Sequence, residues 1–512
     1  MVKSIRLLPL LLVFALAGCK ETLPNSNRGL VLEYYKPFVN EDFTINSVIV
    51  RGLIDSLMRN DSDRHTADLH TRKYYRNEGD FLWITRHGVD ERADSLLSYL
   101  RTVEDMGFDK RKFYVDEIDH DLQLLRNLEL GGENPAVNKV LARLEYRLTK
   151  SYLRYAVGQR FGFMNPTFVL NRIDTLAPNP YDSIRRPVRY RGLFDVKMAH
   201  ADDSFYALAF RQIRNDSVAS FLHSVQPVNP VYYQLKQQLD KRLKSGTLSK
   251  AMRAKLLCNM ERCRWRQEDN VWQHQKYVMV NIPSFHLLAV DHQDTLSMRI
   301  GCGADKTKTP LLNSRIHLMQ LNPDWYMPRS IILHDMVRHL GNHAYFKARN
   351  YYVREVSTGK EVELGSVNRA MLLSGAYGVA QRGGKGNALG RIIFRFDNNF
   401  SVYLHDTNSK GVFGREDRGV SHGCIRVEKP YELAVFLLAD KKQKLMDQIR
   451  YSMTADSLAD KKLTIKSVKV NPQVPLFIAY YTLYPMAGGR MVEYPDVYGY
   501  DKVIYGMLKK YL

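Results

Sequence analysis

The period of the apolar residues changes once along this chain, near residue 276, and no other feature limits the fold as strongly. Before that point, runs such as Asp90–Met106 and Pro230–Lys244 repeat apolar residues every three or four positions, as helices do. After it, short strands alternate with turn residues, at Tyr277–Ile282, His286–Val290 and Thr295–Ile300. The sequence predicts an α+β fold, with a helical domain at residues 43–255 and a mostly-β domain at residues 256–445.

A strand–loop–strand segment after residue 400 brings a cysteine close to two histidines in sequence. Tyr403 and the alternating apolar residues around it predict a strand that ends at His405 and Asp406. A polar, glycine-rich loop follows, and Cys424 then stands directly after a glycine, which allows a substrate to approach the backbone. A thiol in this position needs a base and donors for an oxyanion. His405 can supply the base, and the backbone N–H groups around Gly423 and Cys424 can supply the donors.

Six residues near the cysteine are candidates for supporting the substrate or the oxyanion: Tyr403, Asp406, Ser421, His422, Gly423 and Arg426. Ser421 and His422 are polar neighbours that can shape the site, and His422 is not expected to be the base. Arg426 lies two residues after Cys424, so both side chains fall on one face of a strand. Its charge would favour the thiolate and could receive a carboxylate, although an exposed strand arginine with no role is an equally simple interpretation.

Two other interpretations of the segment remain open. A zinc site would use the same residue types, but structural zinc sites have four ligands at closely paired spacings, and only His422 and Cys424 form a close pair here. A buried, inert cysteine beside a core histidine is the other alternative. Neither metal nor cofactor is predicted.

The segment resembles the signature of the L,D-transpeptidases, whose YkuD-type domain cross-links peptidoglycan with a catalytic cysteine. The resemblance rests on His405, fifteen intervening residues, and then Ser421-His422-Gly423-Cys424. It extends to Asn387–Phe394 and to the lead-in at Asn259–Trp265, which is similar to that of the large, scaffold-bearing members. It implies acyl transfer between stem peptides through a Cys424 acyl-enzyme. A carboxypeptidase with the same site, or a non-catalytic tethering protein, are the alternatives.

Between residues 328 and 386 the strand series is interrupted by an insertion, which in large members of this family is a capping subdomain. Met336–Gly341 is its predicted helix, and Gly383–Gly386 is predicted to be a flexible hinge. The position just before the catalytic strands suggests a mobile lid. Residues 446–512 are predicted to be a C-terminal extension that packs on the catalytic domain.

The N-terminus predicts export. A positively charged start, an apolar run from Leu7 to Leu16, and the box Leu16-Ala-Gly-Cys19 together read as a signal peptide at residues 1–19. The apolar run is too short to span a bilayer as a helix. Resemblance to bacterial lipoproteins implies that Cys19 is lipidated, with residues 20–42 as a tether; an uncleaved anchor is the alternative. The predicted location is the periplasmic cell envelope, on a lipid anchor in the outer membrane.

The net charge of +21 on 512 residues indicates either a polyanionic partner or a surface whose charges are only solvated. Nucleic acid is excluded by the predicted export and by the lack of any nucleic-acid-binding motif. Peptidoglycan carboxylates and anionic lipid headgroups are the partners that fit outside the cytoplasm. Protein partners cannot be predicted. Of the remaining cysteines, Cys258, Cys263 and Cys302, none is predicted to form a disulfide.

Overall fold

A computed structural model describes residues 42–85, 88–176, 188–455, 460–486 and 489–512. The predicted signal peptide, the lipidation site Cys19 and all but the last residue of the predicted tether lie outside the described residues. Within the described ranges, no helix is both long enough and apolar enough to cross a membrane.

Helices dominate the first half of the chain and strands the second, so the α+β prediction is confirmed. The helices are α1 (Ser47–Asn60), α2 (Thr66–Arg76), α3 (Glu91–Leu100), α4 (Val115–Arg126), α5 (Val137–Phe161), α6 (Pro166–Leu170), α7 (Asp203–Arg214), α8 (Val218–Ser224), α9 (Pro230–Lys244), α10 (Lys250–Arg264), α11 (Arg329–His334), α12 (His343–Ala348), α13 (Arg369–Ser374), α14 (Pro430–Leu437), α15 (Gln443–Thr454) and α16 (Tyr500–Leu508).

The strands begin at residue 84 and lie mostly beyond residue 275. They are β1 (Ile84–Thr85), β2 (Gly88–Val89), β3 (Phe194–Asp195), β4 (Lys276–Asn281), β5 (His286–Asp291), β6 (Asp294–Gly303), β7 (Leu311–Leu321), β8 (Trp325–Tyr326), β9 (Tyr351–Glu355), β10 (Glu361–Val362), β11 (Tyr377–Gln381), β12 (Ile392–Phe396), β13 (Leu404–His405), β14 (Gly419–Ser421), β15 (Ile425–Val427), β16 (Ser467–Ala479), β17 (Leu483–Pro485) and β18 (Met491–Glu493). The three strands predicted between residues 277 and 300 are confirmed as β4, β5 and β6.

The chain forms two compact units whose bounds differ from the predicted domains. One contains the described residues within 1–102, 113–155 and 203–224, and the other contains those within 103–112, 156–202 and 225–512. The predicted boundary at residue 255 falls inside α10, which is buried along most of its length. A boundary placed by a change of period cannot detect that a helix packs with the strands that follow it.

In the first unit, a buried carboxylate has a structural role. Glu145 of α5 accepts hydrogen bonds from the main-chain N–H groups of Leu82, Trp83 and Ile84 and from the Tyr75 hydroxyl. Burial raises the pKa of Glu145. This cluster fixes the segment that enters the β1–β2 hairpin to the long helix.

In the second unit, eight strands form a closed ring. Hydrogen bonding runs in the order β12-β13-β15-β6-β5-β4-β16-β7, and β12 also pairs with β7. Alternate side chains, such as Val278, Val280, Leu404 and Ile425, are fully buried. Because successive residues of a strand point to opposite faces, the residues between them lie on the outer face of the ring.

The insertion between β7 and β12 is a small body with its own sheet and its own core. Its strands pair in the order β10-β9-β11-β8, and the core includes Phe346, Val353 and Leu372. The subdomain begins at β8, three residues before the predicted start. The predicted helix at Met336–Gly341 is a short 3-10 helix, Met336–His339, preceded by α11.

The prediction that Gly383–Gly386 is a flexible hinge is wrong at its first residue. The Gly383 N–H donates to Asp324 at 2.7 Å, and a Cβ on Gly383 would lie 2.0 Å from the Asn322 carbonyl oxygen. The buried Asn387 amide donates to the Arg382 carbonyl at 2.9 Å. The glycine is needed at this position because two chain segments approach each other closely there.

Candidate active site

The strand register places the predicted nucleophile and base on one face. β13 and β15 are parallel, with Leu404 opposite Ile425 and His405 opposite Arg426. Leu404 and Ile425 both point into the ring and are fully buried. By alternation, His405 and Arg426 share the outer face, and Cys424, directly before β15, lies diagonally from His405 on the same face.

The Cys424 thiol is partly exposed and has few partners. Its Sγ lies 4.0 Å from the Ser401 carbonyl oxygen. Burial of the thiol raises its pKa to about 11, while a backbone hydrogen bond to Tyr403 and the charge of Arg426 act in the opposite direction. The thiol is therefore neutral near pH 7, and it would need a base to become a thiolate.

His405 is buried, with 4% of its surface exposed. Its Nδ1 is hydrogen-bonded to the backbone carbonyl of Asp406. A carbonyl only accepts, so the proton is on Nδ1 and the lone pair is on Nε2. Burial lowers the pKa of His405 to about 4, although the hydrogen bond to Asp406 opposes the shift and the charge of Arg426 adds to it. The imidazole is neutral and available as a base.

Asp406 is held firmly at the end of β13. Its carboxylate accepts the Arg391 N–H at 2.8 Å and pairs with the Lys410 ammonium at 2.5 Å. Gly390, at φ 65°, packs against the Asp406 side chain, and a Cβ on Gly390 would lie 2.4 Å from the carboxyl carbon of Asp406. The carbonyl that orients His405 therefore belongs to a residue with little freedom to move.

A tight turn at residues 421–424 carries the thiol. The Ser421 hydroxyl donates to the Cys424 carbonyl at 2.5 Å, and the Gly423 N–H donates to the Ser421 hydroxyl at 3.1 Å. Gly423 has φ 121°, a backbone conformation that favours glycine. The prediction that Gly423 supplies an oxyanion donor is thus wrong for this conformation, because its N–H is already bonded. The Cys424 N–H has no acceptor among the described residues.

Three residues that the sequence did not single out hold this turn from behind. Thr307 donates to the Ser421 carbonyl at 2.6 Å, and Thr309 donates to the Gly423 carbonyl at 2.8 Å. The Tyr498 hydroxyl in turn accepts the Thr309 N–H at 3.1 Å. Threonines in a loop after a strand give no signal in a sequence, and Tyr498 lies more than seventy residues beyond the motif.

Arg426 is a cation with no carboxylate partner among the described residues. It is half-buried, its Nε has no hydrogen-bond acceptor, and burial lowers its pKa. The charge acts on both Cys424 and His405. A half-buried guanidinium without an anion suits a ligand carboxylate, which it can bind through two parallel hydrogen bonds.

The remaining predicted residues lie at the edge of the site. The Tyr403 carbonyl accepts the Ile425 N–H at 2.9 Å, and the Arg395 guanidinium lies over its ring. His422 is exposed. Across the described ranges, no three His, Cys, Asp or Glu side chains are placed to hold a metal ion.

The L,D-transpeptidase catalytic domain family, YkuD, matches residues 275–446. This segment is a YkuD domain. The Scaffold domain family matches residues 69–239, so the chain joins a scaffold to a YkuD domain. A curated Haemophilus influenzae protein named "Putative L,D-transpeptidase" is 30% identical over 309 residues. Those residues cover 59% of this chain and 60% of that relative.

The YkuD match contains every strand of the ring except β16, together with the inserted subdomain. It therefore includes Cys424, His405 and Arg426. The supporting residue Tyr498 lies outside it, in the C-terminal segment. The turn that carries the thiol is thus supported by a part of the chain that the family match does not include.

Proposed function

We propose that this protein is a peptidoglycan L,D-transpeptidase that joins stem peptides through a Cys424 thioester. The observation that carries the proposal is one outer face with a thiol, a neutral buried imidazole and an unpaired guanidinium. Cys424 is the nucleophile, His405 the base and Arg426 the group that receives a stem-peptide carboxylate. Membership of the YkuD family supports this assignment.

The first half-reaction forms the acyl-enzyme. His405 Nε2 takes the thiol proton as the sulfur attacks the carbonyl carbon that joins an L-centre of the donor stem to its terminal D-residue. The Cys424 N–H donates to the oxyanion that forms. The C–N bond then breaks, and the imidazolium gives its proton to the departing amine. A thioester and a free D-amino acid result.

The second half-reaction transfers the acyl group. The amine of another stem peptide attacks the thioester carbonyl, and His405 takes a proton from the attacking nitrogen. The C–S bond breaks, and the proton returns to the sulfur of Cys424. The product is a cross-link between two stems, and no metal or nucleotide takes part in either half.

The pKa values of the two residues favour general-base chemistry over a preformed ion pair. With Cys424 near 11 and His405 near 4, proton transfer in the resting enzyme is uphill. The thiolate therefore forms together with attack on a bound carbonyl. This arrangement keeps the thiol unreactive until a substrate is in place.

We also propose that the enzyme works in the cell envelope. The N-terminal sequence through Cys19 supports export and lipidation, and residues 20–42 then form a tether to the outer membrane. An exported enzyme on a lipid anchor stands close to its peptidoglycan substrate. Partition of the mature protein into detergent, lost in Cys19→Ala, is the expected result.

The decisive experiment incubates the purified protein with a defined disaccharide tetrapeptide and follows the products by mass spectrometry. Release of the D-amino acid with formation of a dimer supports transfer to an amine. Release without dimer means that water is the acceptor, and the protein is then a carboxypeptidase. Cys424→Ser should abolish both products while the circular dichroism spectrum stays unchanged. Turnover near the wild-type rate in that variant contradicts the assignment.

A further inference from the structure

A cleft of about 170 Å³ lies in the second unit, apart from the candidate active site. It is bordered by Tyr277 and Met279 of β4 and by Phe477 of β16. Tyr277 and Met279 alternate with the fully buried Val278 and Val280, so the cleft lies on the outer face of the ring. Neither catalytic residue lines it.

The order of the strands puts this cleft on the far side of the ring from the thiol. Two strands, β6 and β5, separate β15 from β4, and two others, β12 and β7, separate β13 from β16. The pair β4–β16 is therefore diametrically opposite the pair β13–β15. A ligand ring held in this cleft cannot touch Cys424.

Two described lining residues carry buried donors without a hydrogen-bond partner, Trp265 at Nε1 and Arg262 at Nη2, and the second belongs to a charged group. Arg262 is the one charged side chain among its described lining residues and is only 3% exposed. Its Nη1 is paired with Asp501 at 2.6 Å, but its Nη2 has no hydrogen-bond partner. A buried donor without a partner is unfavourable, and a ligand acceptor placed beside it would relieve that cost. Because Asp501 already balances the charge, a neutral acceptor such as an amide carbonyl suits Nη2 better than a carboxylate.

Flat aromatic side chains form much of the rest of the lining. Trp272 is 40% exposed at the cleft, and Tyr277 and Tyr484 are half-buried there. The volume is below the roughly 300–1,000 Å³ that encloses a drug-sized ligand, so the cleft accommodates about one ring of a longer molecule. An apolar ring face with a neutral amide carbonyl beside it is the chemistry of an N-acetylated sugar.

We propose that this cleft binds one N-acetylated hexosamine of a glycan chain, so that it holds the protein on the cell wall. The choice of glycan rests on the proposed transpeptidase function. No separate wall-binding domain fits between α9, which ends at Lys244, and α10, which begins at Lys250. The site would retain one glycan strand while a stem peptide from another strand reacts at Cys424.

The test is calorimetric titration of the purified full chain with chitotetraose, which carries acetamido groups, and with cellotetraose, which does not. Chitotetraose should bind and cellotetraose should not. Trp272→Ala should weaken chitotetraose binding about tenfold, the size expected for loss of one aromatic platform. Tyr326→Ala removes another exposed aromatic, on the inserted subdomain, and should leave binding unchanged.

Turnover separates this inference from the proposed function. Trp272→Ala should process a soluble disaccharide tetrapeptide at the wild-type rate but bind less to insoluble sacculi. Absence of chitotetraose binding, equal binding of cellotetraose, or undiminished binding by folded Trp272→Ala overturns the inference even if transfer is intact. If chitotetraose binds as expected but the protein shows no transfer activity, the glycan site is supported. The missing activity then contradicts only the transpeptidase assignment.

Discussion

The side chain of His405 is bonded through Nδ1 to the main-chain carbonyl of Asp406, which follows it in sequence. This contact fixes the tautomer without a charged partner on the imidazole. The carboxylate of Asp406 bonds instead to Arg391 N–H and Lys410. A carboxylate thus stabilises the backbone that orients the imidazole, and the imidazole itself stays neutral.

The two histidines of the motif should differ sharply in importance. His405→Ala removes the buried base and should lower the rate of acyl-enzyme formation by roughly 10²–10⁴-fold. His422→Ala changes an exposed side chain and should cost far less. Single-turnover acylation by a carbapenem or a stem peptide measures both. A larger loss in the His422 variant would mean that the two roles are reversed.

The lowered pKa of His405 should make the folded protein less stable in acid. The pKa of His405 is about 4 in the folded protein, against 6.5 for a free histidine. Between these pH values the unfolded chain binds a proton that the folded protein does not, so stability falls as pH drops from about 6.5 to about 4. The full loss is roughly 3 kcal/mol. Urea unfolding of wild type and His405→Asn at several pH values should show a flatter dependence in the variant; parallel curves would contradict the assigned shift.

Removing the charge of Arg426 should affect both the thiol and the substrate. Arg426→Gln should raise the pKa of Cys424 further, which moves the pH profile of iodoacetamide alkylation to higher pH. It should also raise KM for a carboxylated stem about 10-fold to 100-fold, the range for a lost charged hydrogen bond. Arg426→Lys should restore the alkylation profile more than the KM. Lys444→Gln, an exposed change on α15, is the control.

Thr309 should position the nucleophilic turn without touching substrate. Thr309→Val keeps the shape but leaves the Gly303 N–H and the Gly423 carbonyl without their partner. We expect a loss of about 1–3 kcal/mol in the free energy of unfolding. We also expect a lower kcat with little change in KM. The control, Thr358→Val on the exposed surface, should leave kcat and KM unchanged. An unaltered kcat in a destabilised Thr309 variant would show that the threonine is purely structural.

The inserted subdomain is predicted to act as a mobile lid. Because it has its own sheet and core, replacing residues 325–381 with a short linker should leave the ring folded. Small carbapenems should still acylate Cys424, whereas cross-linking of stem peptides should fall. Hydrogen exchange in the intact subdomain should slow when a carbapenem or substrate binds. Exchange that is slow without ligand and unchanged by it would identify the insertion as fixed structure.

Sequence patterns predicted the parts of this protein that depend on local order. Alternation predicted β4 to β6, and the spacing from His405 to Cys424 predicted the site segment, because strand faces and chain separation are properties of the sequence. The occupied Gly423 N–H and the Thr307–Thr309–Tyr498 support were missed because they depend on contacts between distant segments. Gly383 was misinterpreted for the same reason: a glycine needed for close approach looks identical to one needed for flexibility.

The closed ring determines how a peptide can be recognised. Many peptide-binding proteins add their ligand as an extra strand at an open sheet edge, and the main-chain hydrogen bonds then supply the affinity. Here β13 lies between β12 and β15, and β15 lies between β13 and β6, so neither strand of the site has an open edge. Recognition must come from side chains and single amides. The proposed substrate, a stem peptide that ends in a D-residue, must therefore be recognised without strand addition, and an extended L-peptide finds no open ladder of main-chain hydrogen bonds here.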